Sequence, residues 1–404
     1  MALHLVASRP DPALVTLPWG TPLEEWGPEH VVPLPRGISR HVVRIVRLRK
    51  ATYAVKETSE EAAFTEYRLL RDLGRMGLPA VVPKAVVTGR TTAAGDDSED
   101  LPAALVTEHL TFSLPYRSLF THGGDVENVD KLIDALVVLL VRLHLADFYW
   151  GDVSLSNVLF RRAAGGFAAY LVDAETGELQ PRLSAGMREH DLTVATENVF
   201  AELLDLQAGR QLDEEVPAHD VITQLSERYH ALWAELTDVE EFGLDEMWRV
   251  EQRIERLNDL GFDVDELDIV TDIGGDRVQI QPKVVEAGHH FRELQALTGL
   301  YVEDAQARRL LNDLAAFTAH HDLGGEDRAV VAARWLTEVY EPITAMVPPD
   351  QRRKLTPAEF FHEVLVHRWY LSEQAGHEVD IFDCARSYVA DVLPERPEDQ
   401  PVEA

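Results

Sequence analysis

The chain has 404 residues, 46% of them apolar, and 38 basic against 70 acidic side chains, a net charge of 38 − 70 = −32. That length carries two or three domains with real cores, and a field of that sign argues against non-specific binding to nucleic acid or anionic membrane. A single cysteine, Cys384, excludes an intramolecular disulfide and suits a reducing compartment. The start, MALHLVASRPDPALV, has neither a basic stretch nor a sustained apolar core, and the apolar run at 135–141 is too short for a bilayer. A cytoplasmic protein with no membrane span is therefore expected.

Residues 1–30, rich in Pro and Trp, read as an irregular N-terminal arm packed on the first lobe. From residue 31 the pattern becomes strand, glycine turn, strand, tight turn, strand. The turn Gly37-Ile38-Ser39-Arg40-His41 could donate backbone N–H groups and the Ser39 hydroxyl to phosphates; with one glycine it reads equally well as a plain hairpin turn. On the strand that follows, alternation puts Ala54 and Lys56 on one face, a small residue leaving room for a flat base and an ammonium able to reach phosphates. A surface lysine on an edge strand is the competing reading. The segment 60–73 is an amphipathic helix with Ala63, Phe64, Tyr67, Leu70 and Leu73 on its stripe. Glu66 lies beside that stripe, where it can turn inward to Lys56; Glu60 and Glu61 compete for the role. Short strands at 85–88 and 103–110 flank a polar loop, TTAAGDDSED. A long amphipathic helix over 125–146 carries Val129, Leu132, Ile133, Leu136, Leu140 and Leu143 inward, and His144 reads as a packed histidine rather than a catalyst.

The stretch 144–175, HLADFYWGDVSLSNVLFRRAAGGFAAYLVDAE, organises the rest. Asp152 precedes Asn157 by five positions; an apolar segment, a turn at Gly165-Gly166 and a second apolar strand then end on Asp173. Phosphoryl transfer from a magnesium nucleotide needs a hydroxyl oriented and relieved of its proton, and hard oxygen ligands for the metal. Asp152 suits the first task, Asn157 and Asp173 the second. A buried hairpin whose Asp and Asn merely shape turns is the alternative.

These residues, in this order, resemble the protein-kinase-like superfamily, and Gly151-Asp152 is most similar to its atypical branch of RIO kinases, lipopolysaccharide kinases and aminoglycoside phosphotransferases. Within the resemblance, Ala54-Val55-Lys56 corresponds to the Val-Ala-Ile-Lys strand and LVTEHL at 105–110 to the hinge strand. Thr107 would then control the back of the pocket, while Glu108 and Leu110 offer main-chain groups to adenine. The chain departs from the pattern at Trp150, where histidine is usual, and at Asp173-Ala174-Glu175, which replaces Asp-Phe-Gly. No Ala-Pro-Glu follows, so no protein-substrate activation segment is recognisable.

The resemblance implies an α+β, bilobal protein-kinase-like fold: a small antiparallel β N-lobe (31–112) and a helical C-lobe with the catalytic loop (113–237). A mainly helical C-terminal domain with a β-hairpin (238–393) and a disordered tail (394–404) complete the expectation. It implies ATP and Mg²⁺ as cofactors, with Gly37, Ser39, Ala54, Lys56, Thr107, Glu108 and Leu110 around the nucleotide. Asn157, Asp173 and the extra carboxylate Glu175 would sit at the metal, Glu66 would position Lys56, and Asp152 would orient the acceptor. The expected activity is transfer of the γ-phosphoryl group to a hydroxyl of a small-molecule, glycan or protein acceptor. A catalytically weak pseudokinase acting as a nucleotide-sensing scaffold, with a protein partner on its C-terminal helices, and nucleotidyl transfer to protein are the rival expectations.

In the C-terminal half, a helix over 244–260 stops at Gly261, and strands at 269–271 and 277–281 flank Gly274-Gly275-Asp276 as a hairpin. Three helices follow, the last opened by the capping box Thr356-Pro357-Ala358-Glu359 and closed by Gly376. His362 and His367 are five apart, about 140° out of line on a helix, which excludes a zinc-protease pair. Arg308-Arg309 and Arg352-Arg353-Lys354 read as solvated basic faces. Along its whole length the chain is similar to a bacterial family that joins a lipopolysaccharide-kinase-like half to a C-terminal domain of unknown function.

Overall fold

The computed structural model describes residues 3–8, 11–32, 41–49, 51–92, 98–120, 126–213, 216–238, 240–243, 249, 252, 257, 262–271, 277–287, 289–377 and 379–396. Two compact units divide the chain, residues 1–160 with 169–228 and residues 161–168 with 229–404.

The first unit opens with an antiparallel sheet of five strands, β1 (His4–Val6), β2 (Val43–Leu48), β3 (Ala51–Thr58), β4 (Pro83–Thr88) and β5 (Ala103–Glu108), in the order β1-β4-β5-β3-β2. The arm does more than pack: β1 extends the sheet, with His4 opposite Thr88. Behind it Leu14, Leu17, Trp19, Leu23 and Trp26 share a core with Val46, Tyr53, Val55, Ala85, Val87, Ala104 and Val106. Arg90, 1% exposed, ties the arm down by donating to the carbonyls of Trp19, Thr21 and Pro102 and to Glu57. Because side chains alternate along a strand, Tyr53 and Val55 face this arm core while Ala54 and Lys56 face a cavity on the other side. The start of the expected first strand survives as a bridge between Val31 and Val46, while the turn with Gly37 and Ser39 lies outside the described residues.

Helix α1 (Glu60–Arg75) starts at Ser59, whose side chain accepts from the Ala62 N–H, and buries Ala63, Glu66, Tyr67, Leu70 and Leu73. After β6 (Ser113–Pro115) and the single turn α2 (Tyr116–Leu119), helix α3 (Val126–Leu145) delivers the chain to β7 (Phe148–Tyr149). β8 (Val158–Ala163) and β9 (Gly166–Leu171) form a hairpin in the sheet β6-β8-β9, and β10 (Glu178–Leu179) pairs with β7. Helices α4 (Ala185–Ala208) and α5 (Ala218–Thr237) follow.

The second unit holds a sheet of β11 (Glu240–Gly243), β12 (Phe262–Thr271) and β13 (Arg277–Ala287), in the order β11-β13-β12, so the expected hairpin gains a third strand. The helix expected over 244–260, apart from residues 249, 252 and 257, and the Gly274-Gly275-Asp276 turn lie outside the described residues, as does the tail from 397. More than three helices follow: α6 (His289–Thr298), α7 (Asp304–His320), α8 (Arg328–Trp335), α9 (Glu341–Thr344), α10 (Pro357–Ala375) and α11 (Ile381–Ser387). A π-helical segment at Leu336–Tyr340 joins α8 to α9, and a second at Tyr388–Val392 extends α11; such wide turns leave no mark in a 3.6-residue periodicity. Their core gathers Leu294, Leu310, Trp335, Ile343, Phe360, Phe361, Cys384 and Tyr388. Helix α10 has the expected ends, Thr356 accepting from the Glu359 N–H and Gly376 left-handed at φ 70°. Among the described residues no helix is long and apolar enough to cross a membrane.

Candidate active site

A cavity of about 860 Å³ opens in the first unit, and Ala54, Lys56, Glu66, Thr107, Glu108, Leu110, Asn157 and Asp173 all line it. Three distant parts of the chain meet at its polar end. Lys56 Nζ lies 3.0 Å from Glu66 Oε2, 2.8 Å from Asp173 Oδ2 and 3.2 Å from Glu175 Oε2. Glu66 is fully buried and Lys56 8% exposed, whereas Glu60 and Glu61 sit exposed in the first turn of α1. Burial works against the ammonium of Lys56, but the charges of Glu66 and Asp173 outweigh it and hold its pKa above the ordinary value. Burial likewise pushes the Glu66 carboxyl up to about 7, against the pull of Lys56, so as pH falls through neutrality Glu66 takes up a proton while Lys56 stays charged.

Oxygens of Glu66, Asp173 and Glu175 all lie within 4.8 Å of one another. A close set of carboxylates with a net excess of negative charge over Lys56 fits a hard divalent cation. Asn157 belongs to the same wall: its Nδ2 donates to the Asp152 carbonyl at 2.9 Å and to Asp152 Oδ2 at 3.2 Å, which leaves its Oδ1 as the acceptor. Asp152 and Glu175 are outside the cavity lining and connect to it through Asn157 and Lys56.

The loop that carries Asp152 is held by one face of α4. Asp191, fully buried, accepts from the Trp150 N–H and the Gly151 N–H, each at 2.7 Å, and lies 3.2 Å from His144 Nε2. Burial lowers the His144 pKa, so the imidazole is neutral and donates through Nε2. Asn198 Nδ2 donates to the Val153 carbonyl at 3.0 Å and reaches Asp152 Oδ1 at 3.5 Å; Glu202 accepts from the Leu155 and Ser156 amides at 2.8 and 2.9 Å. Gly151 is required where it stands: at φ 78° an added Cβ would lie 3.1 Å from the Tyr149 ring and 3.2 Å from the Thr176 carbonyl. Trp150 is fully buried, and its indole Nε1 donates to the Asp173 carbonyl at 2.9 Å while Thr176 Oγ1 donates to the Trp150 carbonyl. A donor at that position thus persists although the residue is not histidine. His41 Nε2, 2.9 Å from Glu175 Oε2, joins the polar end from the other side. Asp191, Asn198, Glu202 and the role of the His41 side chain were not foreseen; Asp191 carries a readable signal, since it falls on the buried stripe of α4 with Leu192, Ala195, Val199 and Leu206.

A two-lobed arrangement of an antiparallel sheet whose Lys56 pairs with Glu66 of the next helix, followed by a helical part carrying an Asp–Asn loop and a strand with Asp173 just beyond its end, defines the protein-kinase-like class of fold. Residues 42–207 match the Lipopolysaccharide kinase (Kdo/WaaP) family, and residues 231–393 match a Domain of unknown function (DUF4032). These two matches show the resemblance expected from the sequence, a kinase-like region of the lipopolysaccharide-kinase branch joined to a C-terminal domain of unknown function. Among solved structures, WaaP in complex with acyl carrier protein is similar over 64% of this chain and 99% of that one, at 14% identity and a TM-score of 0.35. No curated protein matches the chain.

Proposed function

We propose that the chain is an ATP- and Mg²⁺-dependent phosphotransferase that moves the γ-phosphoryl group to a hydroxyl of a small-molecule, glycan or protein acceptor. The observation that carries the reading is the meeting of Lys56 with Glu66 and Asp173 at the polar end of the cavity, over separations of 10 and 117 residues. Asp173, Glu175 and the Asn157 oxygen would hold magnesium, which would supply neutralisation of phosphate charge. Lys56 binds the α- and β-phosphates and Glu66 orients it. The adenine lies beside Ala54 and Thr107, with main-chain groups of Glu108 and Leu110 at its edge. Gly37 and Ser39 would cover the phosphates. Asp152 accepts the acceptor hydroxyl's proton as that oxygen bonds to the γ-phosphorus; the bond to the β–γ bridging oxygen breaks and ADP leaves with the electron pair.

Titration of ATP by calorimetry, with and without Mg²⁺, tests this on wild type and Asp173→Ala. Magnesium-dependent binding by wild type, weakened at least about tenfold in the variant, is expected. Failure of wild type to bind any purine nucleotide would sink the catalytic reading and leave a kinase-shaped interaction module.

The same titration carries a pH signature. Glu66 has a pKa raised from the ordinary 4.5 to about 7, so its protonated form gains as pH falls and the ion pair with Lys56 is complete only above that value. Affinity for Mg²⁺-ATP should therefore rise between about pH 6 and 8, and Glu66→Gln should flatten the profile at the low level. A wild-type profile with no inflection near neutrality counts against Glu66 as the positioning group.

A further inference from the structure

The hairpin formed by β8 and β9 has catalytic residues at both ends of its base. Asn157 immediately precedes β8, Asp173 follows β9 by two residues, and the Val172 N–H donates to the Asn157 carbonyl at 3.1 Å, closing the base. Its tip, residues 161–168, belongs to the second unit. There Glu359, only 2% exposed, accepts through one oxygen from the Ala164 N–H at 3.0 Å and from Gln306 Nε2 at 2.7 Å. Ala164 holds φ 50° at the turn, a conformation that non-glycine residues adopt only where the surroundings impose it. Gln306, 3% exposed, also reaches the Arg162 carbonyl at 3.4 Å, and Arg161 Nη1 pairs with Glu303 at 2.9 Å. Glu359 is itself fixed, because its N–H is capped by Thr356 at the start of α10. An ionisable group this deep is retained only with specific partners, and here one of those partners is the backbone of the turn.

We infer that Glu359 is a positioning residue for the metal site: by pinning the hairpin tip it fixes the strand register that brings Asn157 and Asp173 together. Residues that pack on the hairpin tip would then influence the metal site through the two strands of the hairpin. A slip of one residue in a two-stranded pair turns side chains to the opposite face, so a loosened tip is felt at the base. The inference rests on the phosphotransferase reading for its consequence, though not for its mechanical part.

Three variants test it: Glu359→Ala, the conservative Glu359→Gln, whose amide oxygen can accept both bonds, and Arg161→Gln, which loosens the tip without emptying a buried site. The first readout is amide hydrogen exchange over 154–160 and 170–176, which needs no nucleotide. The second is affinity for ATP with and without Mg²⁺. In Glu359→Ala, exchange in both segments should quicken by about tenfold and Mg²⁺-ATP affinity fall by a similar factor, with metal-free ATP binding unchanged. Glu359→Gln should stay near wild type and Arg161→Gln fall between; should Glu359→Ala fail to fold, Arg161→Gln carries the test. Unchanged exchange at the base, or equal effects of Gln and Ala at 359, would overturn the inference. A wild type that binds no nucleotide overturns the phosphotransferase reading instead, and the exchange result then still decides whether the tip governs the base.

Discussion

Asp152→Ala is expected to lower turnover by about a hundredfold to ten-thousandfold, the range supplied by a positioned general base, while Mg²⁺-ATP affinity stays within about threefold of wild type. The separation follows from where Asp152 sits. It lies outside the cavity lining and connects to it through Asn157 Nδ2, so removing its carboxylate leaves Lys56, Glu66 and Asp173 in place. Steady-state rates and calorimetry on the same preparation check this. Equal residual activity in wild type and variant would assign the chain to the nucleotide-sensing scaffold class, since a scaffold has no use for a base.

The second large effect is structural. Asp191→Ala should destabilise the first unit by about 3 kcal/mol or more, because the buried Trp150 N–H, the part-buried Gly151 N–H and the neutral His144 lose a shared acceptor at about 1–3 kcal/mol each. In a unit of this size that corresponds to a fall of about 6–12 °C in the first thermal transition. Asp191→Asn, which keeps one acceptor oxygen, should lose roughly half as much. A scan in which Asp191→Ala melts like wild type would remove Asp191 from the group that holds the catalytic loop.

The parts of the site that could be read from sequence are those in which chemistry and local periodicity coincide. Asp152, Asn157 and Asp173 come with a loop and a strand whose spacing is fixed by covalent geometry, and alternation along β3 gives Ala54 and Lys56 a common face. Glu66 was separable from Glu60 and Glu61 only weakly, since periodicity does not fix a helix's rotation closely enough to choose among neighbouring glutamates. Asp191, Asn198 and Glu202 are remote in sequence from the loop they hold, and most of their partners there are backbone N–H and carbonyl groups, which carry no residue signature. Glu359 was legible as a helix-capping residue and illegible as a partner of Ala164, because that bond depends on tertiary placement over 195 residues. The strand β1, three residues long, falls below what alternation can reveal, and the π-helical segments at 336–340 and 388–392 break the period on which a count of C-terminal helices depends.

The central claim, γ-phosphoryl transfer at this cavity, is tested most directly by phosphorus NMR of Mg²⁺-ATP incubated with wild type, with Asp152→Ala as the control. Accumulation of ADP with inorganic phosphate or a phosphorylated product is expected in the wild-type sample alone. Pyrophosphate, with AMP attached to protein, in its place would mean transfer of the nucleotidyl group, and ATP left intact to the level of the control would contradict catalysis.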